Sequence, residues 1–491
     1  MGSARLCSWA LGSALAVAVG VGLPGCERGE GETVTPGEGT ATPGEGSPDA
    51  SAEAQRVTLL RGATVMTATG ETFAPGAVLV TGATITAVGA ADAVAAPEGA
   101  EVIELAAGQV LTPGIIDTHS HMGVYASPEL TAHSDGNEMV NPITPYARAA
   151  DGFWPQDPQL AHALAGGVTA AQILPGSANL IGGRSFVIKL RPKARSAEDL
   201  RFAGAPDGLK MACGENPKRV YGDKGGPGTR MGNVAGYRAA FQQAVEYQRQ
   251  WDDYERTLAL WETGRSGEGE GDDARPVPPP RDFGLETLAA VLEGETLVHM
   301  HCYRADEMSL MLELAASFGF RIRSFHHAVE AYKIADRLAA AEIAASVWAD
   351  WWGFKAEAFD GVRENAAMVS RAGARAIIHS DSPEGIQRLN QEAAKAMYAG
   401  RRAGIEISED EALRWLTINP AWALGVDEQT GSLEAGKAAD LVVWSGDPFS
   451  VYTRALQVYI DGELVYAREG APGRPRSDFD LGLRDALEDA P

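Results

Sequence analysis

Eight short apolar runs alternate with helical stretches across residues 114–425, and this alternation constrains the fold more than any other feature of the chain. The runs have the length and apolar character of buried strands, while the segments between them show helical periodicity. Such alternation is typical of a parallel α/β architecture, and eight strands can close a barrel whose carboxyl ends carry the active site. The candidate strands are 115–118, 169–174, 186–190, 209–212, 296–300, 322–325, 344–348 and 376–379.

Short β-type runs lie on both sides of this region. They fall at 57–66, 77–80 and 84–88 before it, and at 440–444, 456–460 and 463–466 after it. Asp461-Gly462, between the last two runs, is a strong hairpin-turn signal. We therefore predict an α/β fold in which a TIM-like (β/α)8 barrel at 114–425 carries a small composite β-sandwich domain, formed by 57–113 and 426–470 from both chain ends.

The first 26 residues predict export. They hold a single basic residue, Arg5, an apolar stretch at 6–23 and then Leu23-Pro24-Gly25-Cys26, which resembles a bacterial secretory signal ending in a lipobox. We expect lipidation of Cys26 and a lipid anchor in the cell envelope, as a periplasmic or outer-membrane lipoprotein; a secreted protein with an ordinary signal peptide is the alternative. Residues 27–56 are Gly-, Pro-, Thr-, Ser- and Glu-rich and predict a disordered linker, and 471–491 form a C-terminal tail.

Charge and cysteine content exclude some classes of partner and scaffold. The net charge of −24 is spread along the chain, which argues against nucleic acid or an anionic membrane surface as a partner and leaves a small-molecule substrate. Only Cys213 and Cys302 lie in the predicted folded body, so we expect no disulfide framework. Both are predicted to pack as small apolar side chains beside the motifs described next.

Metal-ligand side chains follow several of the predicted strands. His119 and His121 end the first strand, and because alternate residues of a strand share a face, both can point at one ion. Since the carboxyl ends of barrel strands meet at one mouth, residues from other strands can join them there. These are Lys210 of the fourth strand, His301 of the fifth, His327 of the sixth and Asp381 of the eighth.

These motifs resemble the amidohydrolase superfamily of metal-dependent hydrolases, in the branch near imidazolonepropionase and the Xaa-Pro dipeptidase-like enzymes. The resemblance spans about residues 57–470 and is specific to the superfamily rather than to one substrate. It rests on Pro-Gly-Ile-Ile-Asp-Thr-His-Ser-His at 113–121, Ala-Gly-Gly-Val-Thr at 165–169, His-Met-His-Cys at 299–302, His-His-Ala at 326–328, Ser-Asp at 380–381, Asn-Pro-Ala at 419–421 and the stretch 431–441.

The resemblance implies a divalent metal centre of one or two ions, with zinc the first choice for such ligands. Family members place the sixth-strand ligand directly before a small residue, which favours His327 over His326; His301 is likewise favoured over His299. We expect the two disfavoured histidines to pack in the core. The ligands carried over by motif are His119, His121, His301, His327 and Asp381.

Lys210 decides whether the centre holds two ions. A lysine carboxylated by carbon dioxide presents two oxygens that can bridge two cations, and the setting of Lys210 is similar to that of the lysine strand in binuclear family members. Glu215 is the alternative ligand, because other branches of the superfamily use a glutamate in this role. If neither binds, the remaining ligands predict a site with one ion.

The implied activity is hydrolysis of a carbon–nitrogen bond in a dipeptide, an N-acyl amino acid or a cyclic amide. Metal-activated hydroxide would attack the amide-like carbon, and Asp381 would pass a proton to the departing nitrogen. One alternative is a heterocycle deaminase that uses the same ligands. A further alternative is a non-catalytic binding lipoprotein that retains the barrel.

Basic loop residues are the candidates for substrate binding, because Arg and Lys can bind a substrate carboxylate. Salt bridges to neighbouring acids are the alternative for each of them. An insertion at about 216–285 carries a helical apolar stripe at 237–261, predicted to be a lid, an oligomer contact or barrel-wall packing. The candidate substrate residues are Arg184, Lys218, Arg219, Tyr221 and Arg230.

Overall fold

The computed structural model describes residues 56–263 and 274–469. The signal peptide, Cys26, nearly all of the linker, the middle of the insertion and the C-terminal tail therefore lie outside the described residues. The strands are β1 (Val57–Arg61), β2 (Thr64–Met66), β3 (Thr72–Phe73), β4 (Gly76–Thr81), β5 (Thr84–Ala90), β6 (Glu101–Glu104), β7 (Val110–Pro113), β8 (Ile115–Ser120), β9 (Val168–Ile173), β10 (Ile181–Lys189), β11 (Gly208–Ala212), β12 (Leu297–His301), β13 (Ile322–His326), β14 (Ala344–Val347), β15 (Ala376–Ile378), β16 (Leu441–Trp444), β17 (Ala455–Ile460) and β18 (Glu463–Ala467).

Most helices of the described residues connect or follow the strands β8 to β15. In chain order they are α1 (Pro158–Ala165), α2 (Ala197–Leu200), α3 (Glu215–Tyr221), α4 (Arg230–Glu262), α5 (Phe283–Glu293), α6 (Ala305–Phe318), α7 (Ala335–Ala340), α8 (Asn365–Arg371), α9 (Leu389–Arg402), α10 (Glu409–Arg414) and α11 (Ile418–Leu424). In the described part of the chain, no helix is long and apolar enough to span a bilayer.

The eight predicted barrel strands form one sheet in sequence order, from β8 to β15. Their side chains are almost entirely buried, as expected for strands covered on both faces. The two ends of the sheet meet through backbone hydrogen bonds to the chain after α10: Ile116 of β8 donates to Leu416 O and Ile378 of β15 donates to Trp415 O. The predicted TIM-like barrel is therefore confirmed, and a nearly closed ring brings β8 and β15 side by side.

One strand departs from the expected parallel arrangement. β10 runs antiparallel to both β9 and β11, whereas the other paired neighbours in the barrel are parallel. Residues 174–180 join β9 to β10, and a parallel crossover needs about a dozen residues or more. β9 and β10 consequently form a hairpin whose connecting loop lies at the mouth of the barrel.

The predicted helical stripe at 237–261 lies on α4. The first half of this helix packs on the barrel through buried residues that include Tyr237 and Phe241, and Phe241 stacks on Phe320 with ring centroids 4.3 Å apart. Trp251 and Tyr254 in the second half are only partly buried. The insertion therefore serves at least in part as barrel-wall packing, one of the three predicted roles.

The two chain ends share a β domain, as expected. β7 and β2 from the amino-terminal side pair in one sheet with β16 from the carboxyl-terminal side, and a second sheet has the order β5-β4-β1-β6. Residues from both ends, such as Val80 and Tyr459, share one buried apolar cluster. Asp461 and Gly462 both have positive φ, at 53° and 77°, and connect β17 to β18 as the predicted hairpin turn.

Candidate metal centre

His119 and His121 lie where β8 reaches the mouth of the barrel. His119 is fully buried, and the side chain of His121 is 18% exposed. Their Nε2 atoms are 3.3 Å apart, and they lie 3.6 and 3.3 Å from the same oxygen, Asp381 Oδ1. His121 Nδ1 donates to Leu174 O at 2.8 Å, so its Nε2 keeps a free lone pair for a cation.

Asp381 and His327 are held together on left-handed backbone. Their φ angles are 49° and 58°, a conformation that costs a non-glycine residue about 1–3 kcal/mol and is characteristic of functional sites. The Asp381 N–H donates to His119 O at 3.0 Å, and the His327 N–H donates to His379 Nε2 at 3.2 Å. These bonds hold both residues so that His327 Nε2 lies 3.6 Å from Asp381 Oδ2.

Lys210 reaches the same cluster from β11. Its side chain is fully buried, its Nζ donates to Pro175 O at 3.0 Å, and the Nζ lies 3.5 Å from His119 Nε2. Burial lowers the pKa of Lys210 to about 7, although the charge of Asp381 opposes the shift. A substantial fraction of this amine is therefore unprotonated at neutral pH.

His301 lies across the cluster from β8 and lacks hydrogen-bond partners. Neither of its ring nitrogens has a partner among the described residues, and the same holds for His327 Nδ1. The His301 ring centroid is 4.8 Å from that of His327. A buried, unsatisfied nitrogen costs about 1–3 kcal/mol, and a divalent cation would supply the missing partner. The donor set therefore fits a metal ion.

A second row of histidines lies beneath the first. His326 Nδ1 is 2.9 Å from His119 Nδ1, and His326 Nε2 is 3.0 Å from His299 Nδ1. His326 and His299 thus support His119 from inside the barrel, and the packing role expected for them stays a prediction. Two donor groups have all their ligand atoms within 4.8 Å of one another: one comprises His119, His326 and His379, and the other His119, His327 and Asp381. The second contains a carboxylate and opens to the mouth.

The buried imidazoles are neutral, which is the form that binds metals. Burial lowers the pKa of His299 to about 3 and that of His379 to about 4. For the other four the pKa falls well below the usual 6.5, again because of burial first, with Lys210 or a neighbouring histidine as the second cause. Those four are His119, His301, His326 and His327.

Two supporting residues were not predicted from the sequence. Asp117 is fully buried and accepts hydrogen bonds from the backbone N–H groups of His119 and Ser380, both at 3.1 Å, and from the Ser380 hydroxyl. Burial raises its pKa to about 7. The second is His379, whose Nε2 holds the His327 backbone. Asp117 could have been predicted from the sequence, because it lies two residues before His119 in the same strand and therefore on the same face.

Comparisons with known proteins agree with this geometry. The model of the amidohydrolase family matches residues 285–466. A solved structure of an amidohydrolase from Thermotoga maritima is 37% identical, covers 84% of this chain and all of its own, and superposes with a TM-score of 0.73. The chain belongs to the amidohydrolase family. A zinc-bound adenosine deaminase from Xanthomonas campestris, 16% identical over 88% of this chain and 97% of its own with a TM-score of 0.50, shares the fold.

A second relative is much longer than this chain. The amidohydrolase tasK of Hapsidospora irregularis is 38% identical over 387 residues. The match covers 75% of this chain and 38% of tasK, so the chain spans well under half the length of that relative.

The structure brings Lys210, and not Glu215, to the ligand cluster of this amidohydrolase. Glu215 begins α3, where its N–H donates to Glu357 Oε2 at 3.0 Å. Its carboxylate lies 3.7 Å from Lys355 Nζ. Both donor groups found among the described residues lack Glu215, and they also lack His121 and His301.

Two of the predicted substrate residues form ion pairs with acids of the protein. In the pairing of β10 with β11, Arg184 lies opposite Leu209, near the amino end of β11. Its Nη2 lies 2.9 Å from Asp207, away from the mouth of the barrel. Arg230 lies 2.8 Å from Glu307 and 2.5 Å from Glu357. The alternative stated for these residues, salt bridges to neighbouring acids, fits both positions better than substrate binding.

The remaining three candidates lie on α3. Lys218 is half-buried and Arg219 is exposed. Tyr221 is buried, its hydroxyl has no hydrogen-bond partner among the described residues, and burial raises its pKa to about 12. Asn216 of the same helix contacts Lys355, which places α3 beside the segment that follows β14. Their role in substrate binding stays a prediction.

Cys213 and Cys302 are joined in a disulfide, which corrects the expectation that they pack as free thiols. Cys213 follows β11 and Cys302 follows His301, and β11 and β12 are parallel neighbours, so the two Cα atoms are 5.3 Å apart. Residues 89 positions apart could be paired only once this strand order was known. The bond ties the strand of Lys210 to the strand of His301.

Proposed function

We propose that this protein hydrolyses a carbon–nitrogen bond of an amide-like small molecule, such as a dipeptide, an N-acyl amino acid or a cyclic amide. The observation that carries the proposal is the convergence of His119, His121 and His327 on the two oxygens of Asp381, all within 3.6 Å. Such a constellation, at the carboxyl ends of barrel strands, is where catalytic residues of this architecture gather.

The imidazole-rich donor set fits zinc best, with manganese, iron or cobalt as alternatives where oxygen ligands enter. A bound divalent cation supplies a Lewis acid for the substrate carbonyl and lowers the pKa of a bound water to about 7. His119, His121, His301, His327 and Asp381 are the proposed ligands. His301 supports this assignment, because among the described residues both of its ring nitrogens are without a partner, whereas His299, His327 and His379 each have one such nitrogen.

Asp381 is proposed to act first as the general base and then as the general acid. Its side chain is 25% exposed, so it faces both the ligand cluster and the solvent-filled mouth. Its carboxylate takes a proton from the attacking water and delivers it to the departing nitrogen as the carbon–nitrogen bond breaks. His119 and His121 orient this carboxylate from one side and His327 from the other.

Lys210 is proposed to carry a carbamate, which would supply oxygen ligands for a second ion. The unprotonated Nζ forms a bond to the carbon of carbon dioxide and loses one proton to solvent, which gives a carbamate whose single negative charge is shared by two oxygens. The lowered pKa of Lys210 supports this step, because only the neutral amine is a nucleophile. Incorporation of ¹³C-labelled bicarbonate, read by NMR in wild type and lost in Lys210→Met, tests it.

We further propose export of this protein to the cell envelope, through the lipobox-like sequence at Cys26. The Cys213–Cys302 disulfide supports it, since disulfides persist mainly in oxidising compartments. Cys26→Ala should move the protein from the membrane fraction to the soluble fraction; an unchanged distribution would contradict the anchor.

The test of the main proposal is metal analysis combined with a substrate screen. Purified protein reconstituted with zinc is assayed on N-acyl amino acids, dipeptides, cyclic amides and purine or pyrimidine bases, with Asp381→Asn as the inactive control. Release of an amino acid or an opened ring supports the proposal. Release of ammonia from a heterocycle would replace it with a deaminase, and no turnover by metal-replete protein would favour a binding module.

A further inference from the structure

An aromatic segment follows β14 and borders the ligand cluster. Trp348 stacks on His327, with ring centroids 4.4 Å apart, and its Nε1 donates to Ser380 O at 3.1 Å. Trp351 and Phe354 lie against Trp348, at 5.2 and 5.8 Å, and remain 40% and 55% exposed. Exposed aromatic rings next to a polar centre form a surface on which an apolar substrate group can pack.

Lys355 ends this aromatic run and points its ammonium group inward. Its Nζ lies 4.1 Å above the ring of Tyr303, and its side chain is only 19% exposed. Among the described residues, Nζ donates one hydrogen bond, to Asn216 Oδ1 at 3.1 Å. Glu215 Oε1, at 3.7 Å, is beyond normal hydrogen-bond length. An ammonium has three donors, so Lys355 retains donors for a further acceptor.

Tyr303 connects this lysine to the candidate metal ligands. Its ring lies edge to face with His301, at 4.7 Å, and stacked with His327, at 5.8 Å. Lys355 is therefore one aromatic ring away from both histidines. A group held by Lys355 and a carbonyl held at the ligand cluster can belong to the same small molecule.

Two acids hold the Lys355 segment in place. Glu357 is nearly fully buried and accepts hydrogen bonds from Arg230 Nη2, at 2.5 Å, and from the Glu215 N–H, at 3.0 Å. Arg230 also binds Glu307 on α6. The segment after β14 is thus fixed to α3, α4 and α6, which presets the position of the ammonium group before substrate arrives.

We propose that Lys355 binds a carboxylate of the substrate, while the exposed rings of Trp351 and Phe354 pack against its apolar group. This inference rests on the proposed hydrolase function and narrows its substrate class to amides that carry a free carboxylate, such as N-acyl amino acids and dipeptides. When substrate binds, its carboxylate takes the place of Glu215, the more exposed partner of Lys355, beside the ammonium group. A neutral heterocycle would leave Lys355 without an added partner.

The experiment compares Lys355→Met with wild type in the metal-loaded, full-length protein. Equilibrium binding is measured by calorimetry for β-benzoylpropionate, which has an aromatic group, a carbonyl and a carboxylate but no carbon–nitrogen bond, and for the corresponding neutral alcohol. Lys333→Met is the matched control, because Lys333 also lies beside a tyrosine ring, that of Tyr332 at 5.7 Å, and forms ion pairs with acids. Hydrolysis of hippurate, the amide analogue, is measured in parallel.

We expect Lys355→Met to weaken binding of β-benzoylpropionate by about 10- to 100-fold, as for loss of a charged hydrogen bond. Binding of the alcohol should change less than twofold, Lys355→Arg should restore part of the loss, and Lys333→Met should match wild type. For hippurate the same change should raise KM more than it lowers kcat.

Equal losses of binding affinity for β-benzoylpropionate and for the alcohol, or no loss for either, would overturn the role of Lys355. Because the probe has no bond to hydrolyse, its binding reports on Lys355 even in a protein that turns over no amide. Discrimination between the acid and the alcohol without hippurate hydrolysis would support Lys355 as the carboxylate site and count against the hydrolase proposal alone.

Discussion

At the scale of single residues, Asp381 combines two properties that the other candidate ligands lack together. It contacts three imidazoles, and its side chain is partly exposed to the mouth. A buried ligand such as His119 can hold an ion but cannot exchange a proton with substrate. Substitution of Asp381 should therefore lower catalytic activity without lowering the stability of the fold.

We expect Asp381→Asn to lower kcat by about 100- to 10,000-fold, because the amide cannot act as a general base or acid. The substitution keeps the shape of the side chain, so thermal unfolding should shift little. Steady-state kinetics and calorimetric melting measure the two effects. Glu384→Gln, an exposed carboxyl three positions on, is the control and should leave kcat unchanged. An Asp381→Asn variant with wild-type kcat would exclude the proposed proton transfer.

Lys210 gives a pH-dependent stability prediction for metal-free protein. The folded chain holds its pKa at about 7, whereas the unfolded chain has the ordinary value of 10.5. Between these values the unfolded state binds a proton that the folded state does not, so the destabilising effect is absent above pH 10.5 and complete below pH 7. Lys210→Met should therefore raise the Tm of chelated protein at pH 7, by an amount that shrinks toward pH 10.

Thermal melts of chelated wild type and Lys210→Met across this pH range test the prediction. Lys189→Met is a contrasting variant, because Lys189 is buried but lies 3.1 Å from Asp440, and its substitution should lower Tm. A Tm difference between Lys210→Met and wild type that is constant from pH 7 to pH 10 would contradict the buried neutral amine.

At the scale of elements, local patterns predicted the strands but not all of their directions. Each of the eight barrel strands and the hairpin at Asp461-Gly462 had a local signal in apolar periodicity or turn residues. The direction of β10 had none, because an antiparallel strand buried on both faces has the same composition as a parallel one. The strand was predicted at 186–190 but begins at Ile181, so the short connection at 174–180 could be recognised only from the structure.

The disulfide provides the prediction at this scale. It closes a loop of 89 residues, and loss of such a bond typically costs about 2–4 kcal/mol of stability. The Cys213→Ala/Cys302→Ala double variant should unfold at lower denaturant concentration, and because Cys302 adjoins His301, it should also bind zinc more weakly. Chemical denaturation and competition with a chelator measure these changes. Full stability and full zinc affinity together would show that the bond does not support the site.

At the scale of the whole molecule, the ligand cluster could be predicted because strand ends in a barrel share one face. His119, Lys210, His301, His327 and Asp381 lie far apart in the chain, yet each follows or belongs to a recognisable strand. The Arg230–Glu357 pair and the position of Lys355 could not be predicted, since they depend on how the loops after β11 and β14 pack. Loop packing leaves no periodic pattern in a sequence.

The buried histidines make the metal-free protein sensitive to acid. Six of them have a pKa lowered by burial, so below pH 6.5 the unfolded state gains protons that the folded state lacks. Stability should fall by about 1.4 kcal/mol per pH unit for each such proton. Asp117, with its pKa raised to about 7, has the opposite sign and offsets one of them.

Urea denaturation of chelated protein at pH 7 and pH 5 measures this loss. Zinc-loaded protein is the control and should retain more of its stability at pH 5, because the ion competes with protons for the same nitrogens. Equal stability of the metal-free protein at both pH values would contradict the neutral histidine cluster.

The reversed β10 also has a consequence for how this architecture can diversify. The carbonyls of Leu174 and Pro175, at the start of the β9–β10 hairpin, fix the imidazole of His121 and the amine of Lys210. Any residue inserted there would displace both His121 and Lys210 from the ligand cluster. Natural variants that act on other substrates should therefore keep the β9–β10 loop at constant length. Insertions and deletions should occur instead across the barrel mouth, in the segment after β14 that contains the tryptophans.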